Sequence, residues 1–361
     1  MTNKTEFRVS PNPRAVQAVE RTRFLESPGF GRIFTDHMVT VTWETDKGWH
    51  EAHVHERRPF QLDPASAVLH YAQEIFEGMK AYRTKQGSIC LFRPEENARR
   101  FRKSAERLAM PLLPEELFLE AIEQLVRIDQ DWIPSGEGSL YIRPFMFADE
   151  PFLGVRPAKR YMFCVIASPV GAYFKGGTKP ISVWVSETYS RAAPGGTGAA
   201  KCGGNYAASL IAQVEATEKG CDQVVFLDAA EHQWVEELGG MNIFFVMEDG
   251  SLVTPPLGTI LPGITRSSLI TLARDSGMKV EERAYSFTEW KADAASGRLR
   301  EAFACGTAAV VAPIATVRHT QGEFSIAGGE VGPVTKKLSE SLIGIQRGTR
   351  ADTYGWLRTI A

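Results

Sequence analysis

Residues 191–210, RAAPGGTGAAKCGGNYAASL, set one long cation, Lys201, in a run of very small side chains. From Ala192 to Asn205 its neighbours are Gly, Ala or Cys, apart from Pro194, Thr197 and Asn205. Such neighbours leave the lysine free to enter a cavity while a ligand approaches the backbone. A helix starting near Tyr206 would place Lys201 at its positive end, which disfavours the ammonium form. A neutral lysine amine attacks carbonyl carbon, the chemistry of Schiff bases. The same letters imitate two phosphate loops and fail both. GGTGAAKC departs from G-x-x-x-x-G-K-[ST] at Ala200 and Cys202, losing the backbone freedom and the magnesium-binding hydroxyl. Residues 196–201 have a lysine where G-x-G-x-x-G needs its third glycine for close packing. His50, His53 and His55 come without a carboxylate or cysteine ligand set, so no metal site is expected.

Carrying such a lysine takes a framework, and 361 residues suggest two domains. Residues 1–33 read as a polar, proline-spotted arm and 34–170 as a smaller α+β domain. An interdomain loop over 171–180 (GAYFKGGTKP) follows, and 181–361 form a larger domain of mixed α/β character. HMVTVTWE and HEAHVHERRPF alternate like paired strands, as do KAYRT and SICLFR around Gly87. The spacing of Val68, Leu69, Ala72, Ile75 and Phe76 predicts a helix over 64–79. Two further helices are expected over Asn97–Leu108 and Glu115–Asp129, and strands at LYIRPFMFA and RYMFCVIASPV. In the second half ISVWVSE, QVVFLD and NIFFVME alternate with helices over Tyr206–Lys219 and Thr265–Ser276. The first of these is expected to present Ala207, Leu210, Ile211 and Val214 as its apolar face.

Composition removes several function classes. Lys+Arg is 41 and Asp+Glu 43, a net charge of -2, without the basic excess of a general nucleic-acid binder. The five cysteines include no C-x-x-C pair, which argues against a disulfide framework or zinc ribbon and fits a reducing compartment. The N-terminus has no apolar signal core, and the charge-free runs Gly250–Thr265 and Ala302–Val317 are short for a membrane span. A cytoplasmic protein without a membrane or nucleic-acid partner is the expectation.

The lysine segment KCGGNYAASL resembles that of the branched-chain amino acid aminotransferases, class IV (fold type IV) enzymes that use pyridoxal 5′-phosphate. HYAQEIFEGMKAY (70–82), YIRP (141–144), GAYF (171–174), ELGGMNIF (237–244), LPGITR (261–266) and ACGTAA (304–309) are similar to that family in the same order. The likeness runs from about Phe34 to Trp356.

The resemblance implies a smaller α+β domain, a larger domain with a barrel-like mixed sheet, and a homodimer. The implied reaction moves the amino group of L-leucine, L-isoleucine or L-valine to 2-oxoglutarate. D-amino acid transamination and aminodeoxychorismate lysis are the alternatives within the fold. Lys201 would bond the cofactor and shuttle a proton, Glu237 would face its pyridine nitrogen and Tyr206 its phenolic oxygen. Motif register alone separates Glu237 from Glu236. Arg100, Ile264, Thr265 and Thr307 would seat the phosphate, with Arg99 and Arg102 as register alternatives to Arg100. Gly240 stands where some relatives carry a phosphate-binding threonine. Tyr141 and Arg143 alternate on a strand and so share a face. With Thr307 and Ala308 they would orient the substrate carboxylate. Phe76, Tyr71 and Tyr173 would wall an apolar side-chain pocket, with Leu153 and Val155 supplied by the partner subunit. Ala309 and Ala312 replace the redox C-x-x-C of some vertebrate relatives, so no thiol switch is expected.

Overall fold

The computed structural model of the chain describes residues 6–171 and 179–360. Of these, 6–171, 200–203 and 345–360 form one compact unit, and 179–199 with 204–344 form another.

The first unit is organised by one sheet. Its strands are β1 (Arg8–Val9), β2 (His37–Glu44), β3 (Gly48–Glu56), β4 (Glu74–Phe76), β5 (Met79–Arg83), β6 (Ile89–Phe92), β7 (Ser139–Ala148) and β8 (Arg160–Val170). The order is β1-β3-β2-β8-β7-β5-β6, then the C-terminal strand Leu357–Thr359, with β4 beside β7. Apart from the parallel β1–β3 pair, every neighbour is antiparallel. The helices are α1 (Ala18–Glu26), α2 (Ala67–Tyr71), α3 (Pro94–Arg107) and α4 (Glu115–Ile128). Both α3 and α4 open with two glutamates, where the helix dipole favours anions. Phe101 of α3, Phe118 of α4 and Phe163 of β8 pack together, with ring centroids 5.3 to 5.8 Å apart. That contact seats the helix pair on the sheet.

Two readings of this half change. The helix expected over 64–79 ends at Tyr71, where Ala72 turns left-handed (φ 48°), and the chain continues as β4 and β5. Apolar residues spaced for a helix also suit two short strands. Here Ile75 opposite Met146 and Met79 opposite Ile142 gain complete burial from sheet pairing. Residues 345–360, placed by sequence in the second domain, pack with the first unit, because Leu357–Thr359 pairs with β6. The N-terminal stretch is also tied down. The Asn12 N–H donates to His37 Nε2 (2.8 Å) and the Val16 N–H to Asp36 (2.9 Å).

The second unit has its own mixed sheet: β9 (Ile181–Ser186), β10 (Gln223–Leu227), β11 (Val235–Leu238), β12 (Asn242–Met247), β13 (Leu252–Thr254), β14 (Val280–Glu282), β15 (Leu299–Gly306), β16 (Val310–His319) and β17 (Gly322–Ser325). The order is β11-β10-β9-β16-β15-β12-β13-β14, with β17 on β16, and β9 is parallel to both neighbours. The helices are α5 (Gly203–Ala207), α6 (Leu210–Glu218), α7 (Ile264–Asp275), α8 (Phe287–Ser296) and α9 (Pro333–Gln346). The helix expected over 206–219 is thus interrupted, and its apolar face is reversed. Leu210, Ile211 and Val214 are exposed, while Ala212 and Ala216, four residues apart, are buried with Trp184 and Phe226. Alanines let the helix approach the sheet more closely than leucines would. No helix among the described residues is long and apolar enough to cross a membrane.

Candidate active site

In the first unit Lys201 is fixed by its own backbone. Its carbonyl accepts the Phe76 N–H of β4 (2.9 Å), and its N–H donates to Ser104 Oγ of α3 (2.9 Å). Two residues on, the Gly203 N–H donates to Glu74 Oε1, and a Cβ at Gly203 would stand 3.1 Å from Glu74 Cδ. Glycine there allows the approach. The side chain is half-buried, and its amine lies 4.7 Å from the centre of the Phe76 ring. Protein packed around the amine, then the Arg100 cation, bring its pKa down to about 8, against the opposing pull of Glu77. The lowered proton affinity expected from sequence is therefore present. Its main cause is burial, not the start of a helix that here has only five residues.

Around this amine the sheet face supplies cations and a phenol. The Arg143 guanidinium lies 4.8 Å from the Phe76 ring centre and donates to the Tyr141 hydroxyl (3.2 Å), while its Nε is buried without a hydrogen-bond partner among the described residues. Gly78 is required beneath Tyr141, since a Cβ there would overlap the hydroxyl and stand 3.0 Å from Cζ. Arg100, on the buried face of α3, forks Glu77 through Nε (2.7 Å) and Nη2 (2.8 Å). Arg99 instead pairs with Glu96 on an exposed face, and Arg102 is also half in solvent. Phe76, Arg100, Tyr141, Arg143 and Lys201 therefore form one cluster. Tyr71, Leu153 and Val155 form an exposed patch, joined by the Tyr71 hydroxyl donating to the Leu153 carbonyl (2.6 Å). Tyr173 lies outside the described residues.

In the second unit Glu237 and Glu236 differ clearly. Glu237 Oε1 meets Arg191 Nη2 (2.6 Å) and the Leu261 N–H (3.1 Å), and its Oε2 accepts Asn242 Nδ2 (3.0 Å). Glu236 points to the other face, bonded by Thr259 Oγ1, and burial pushes its carboxyl upward. Asn242 also fixes the entry to α7, where a Cβ on Gly263 would stand 3.2 Å from its Cγ. Gly263 caps that helix without a side-chain bond, so the amides of its first turn face outward near Ile264 and Thr265. The turn bearing Thr307 and Ala308 lies at the same end of the sheet, because Asn242 pairs with Cys305 and Met241 lies against Gly306. Tyr206 reaches the same end, its Cε1 3.8 Å from where a Cβ on Gly240 would stand.

Pyridoxal 5′-phosphate needs an amine of low proton affinity, a fixed carboxylate, a hydroxyl and an anion seat. The first unit offers Lys201 and Arg100. The second offers Glu237, Tyr206 and a glycine-entered helix start whose Cβ space is already taken by Asn242. These residues fit the group. Sequence reasoning missed Glu74, Glu77, Ser104 and Arg191, and also Phe30, whose ring meets Tyr141 edge-on at 5.1 Å. The glutamates stood inside the quoted motif HYAQEIFEGMKAY, where an acid beside a glycine could have been flagged, and Arg191 opens the quoted lysine segment.

The family model for class IV aminotransferases (Amino-transferase class IV) matches residues 74–317. The branched-chain-amino-acid aminotransferase of Mycolicibacterium smegmatis is 57% identical over 98% of this chain and 97% of its own length. That of Mycobacterium tuberculosis is 58% identical over 94% of each. Among solved structures, the branched-chain amino acid aminotransferase of Escherichia coli aligns with TM-score 0.71. It is 30% identical and covers 89% of this chain and 99% of that one. A match of this extent and identity means that the chain belongs to the class IV aminotransferases, as a pyridoxal-phosphate-dependent enzyme of the branched-chain amino acid type.

Proposed function

We propose that the chain transfers the amino group of L-leucine, L-isoleucine or L-valine reversibly to 2-oxoglutarate, with Lys201 as the catalytic base and acid. The observation that carries this reading is the Lys201 amine, its pKa lowered to about 8, on a backbone pinned by two hydrogen bonds of its own and a third at Gly203. About one amine in ten is then neutral at pH 7, about 300-fold more than for a lysine at its ordinary 10.5. The bound cofactor supplies an electron-accepting ring that weakens the substrate's Cα–H bond. Lys201 would take that proton from the substrate's Cα and deliver it to C4′ of the cofactor. Glu237, held by Arg191, Asn242 and the Leu261 N–H, would face the ring nitrogen of the group, and Tyr206 would offer its phenol to the neighbouring oxygen. Arg100, the α7 amides at Ile264 and Thr265, and Thr307 hold the phosphate.

Arg143 and Tyr141, bonded to each other, orient the substrate carboxylate together with the N–H groups of Thr307 and Ala308. Phe76 contributes apolar wall. Tyr71 goes with Leu153 (76% exposed) and Val155 (89% exposed) to complete the site of a second copy, a use that suits so exposed an apolar patch. A homodimer is therefore part of the proposal, as is a cytoplasmic location, which the five unpaired, buried cysteines support.

The test is a visible spectrum of the purified protein before and after L-leucine, then with 2-oxoglutarate, beside D-leucine and the Lys201→Ala variant. A cofactor band that responds to L-leucine, reverts with the keto acid and ignores D-leucine is expected. A band indifferent to L-leucine, or borohydride capture persisting in Lys201→Ala, refutes it.

A further inference from the structure

Glu77 has no part in the roles above, yet it is fully buried inside the first unit's cluster. Its Oε1 accepts from Arg100 Nε and its Oε2 from Arg100 Nη2, Asn97 Nδ2 (2.7 Å) and its neighbour's Gly78 N–H (3.2 Å). Asn97 and Arg100 stand one turn apart on α3, so a single carboxylate between β4 and β5 holds two side chains of one helix face. A carboxylate this far from water survives because both oxygens are met by donors, one of them ionised. A guanidinium is planar, and Glu77 takes its Nε–Nη2 edge. The plane and the direction of the Nη1 edge are then fixed.

We propose that Glu77 is a positioning residue that holds the Arg100 guanidinium in the plane and direction needed to seat the cofactor's phosphate. This rests on the reading of Arg100 as a phosphate ligand. Without Glu77 the guanidinium must find its own direction, and each contact it makes to an anion bears the cost of ordering a long side chain. The pair also keeps charge balanced beside Lys201, whose ammonium is disfavoured by Arg100 and favoured by Glu77. Removing the acid alone leaves that amine next to an uncompensated cation.

The experiment compares pyridoxal 5′-phosphate with pyridoxal, which lacks the phosphate, binding to the full chain stripped of cofactor. At about pH 9, where the Lys201 amine is neutral with or without the acid, Glu77→Gln should weaken the phosphorylated form about tenfold and leave pyridoxal nearly unchanged. It should also lower the pH at which Lys201 reacts half-maximally with pyridoxal. Equal losses for both ligands would mark Glu77 as merely structural and overturn the proposal, as would no loss at all. Arg100→Met separates the two ideas. If it abolishes the phosphate preference while Glu77→Gln keeps it, the positioning role fails alone. If Arg100→Met itself keeps the preference, the phosphate reading of Arg100 fails and takes the proposal with it. Should Glu77→Gln not fold, Asn97→Ser removes one donor from the same carboxylate. It should give a smaller loss confined to the phosphorylated ligand, and a loss shared by both ligands counts against the proposal.

Discussion

Replacing Gly78 by alanine tests whether Tyr141 and Arg143 act as a unit. The backbone at Gly78 lies outside the left-handed region, so an alanine is accepted conformationally and any effect comes from space. Its Cβ would overlap the Tyr141 hydroxyl and stand 3.0 Å from Cζ, so the ring must retreat by about 1 Å to reach ordinary contact. The hydroxyl is the group to which Arg143 donates at 3.2 Å, and a retreat of that size ends the bond. Overpacking of this kind costs about 1–3 kcal/mol, partly offset by about 0.4–1 kcal/mol from a stiffer unfolded chain. Stability should therefore fall by about 0–2.6 kcal/mol, while kcat/KM for L-leucine falls about tenfold or more through the misplaced pair. Tyr141→Phe removes the clashing atom. In that background the alanine should cost almost nothing further in kcat/KM, so the two changes are strongly non-additive. Additive effects in the four-variant cycle, or an unimpaired Gly78→Ala enzyme, would refute the coupling.

Gly263→Ala should drive Asn242 away from Glu237 and weaken pyridoxal 5′-phosphate binding by about tenfold or more, read by titrating the cofactor-stripped chain. The Lys201 amine of that stripped chain should react with pyridoxal half-maximally near pH 8. Its pKa is lowered, so reactivity rises as pH climbs through 8 instead of through 10.5, and a midpoint near 10 would contradict the burial argument. Ser286→Ala breaks the reciprocal cap with Glu289 at the start of α8. It should cost about 1 kcal/mol in thermal or urea unfolding without altering kcat/KM. Gly240→Thr should fold normally, because the nearest atom to the new Cβ is Tyr206 Cε1 at 3.8 Å, and a fall in melting temperature of several degrees would count against this.

Lys201 stands out in the sequence because its neighbourhood is extreme: a run of glycine and alanine has little reason to surround a surface lysine. A low proton affinity alone would not have identified it, since Lys80 on β5, buried beside Arg347, is also brought down to about 8. Strands β7 and β8 and helices α3 and α4 were equally plain, each long enough for its period to speak. Short elements were not. Ile75 and Phe76 satisfy a helical stripe and a strand alternation alike, and only the pairing partner on β7 decides. The face of α6 was misread for the opposite reason, as large apolar residues outshine alanines in any hydropathy pattern although the alanines are the ones packed inward. Glu77 and Arg100 stand 23 positions apart, and no periodicity links an acid at a strand bend to a helix that follows two more strands.

The four residues 200–203 are claimed by a unit to which neither of their flanking stretches belongs, and the last sixteen described residues return to that unit as well. Neither half of this enzyme is thus a contiguous stretch of gene. Duplication, fusion or exchange of one half would carry away the other half's lysine or leave it behind. Such a chain can diversify residue by residue, but it resists being shuffled as modules.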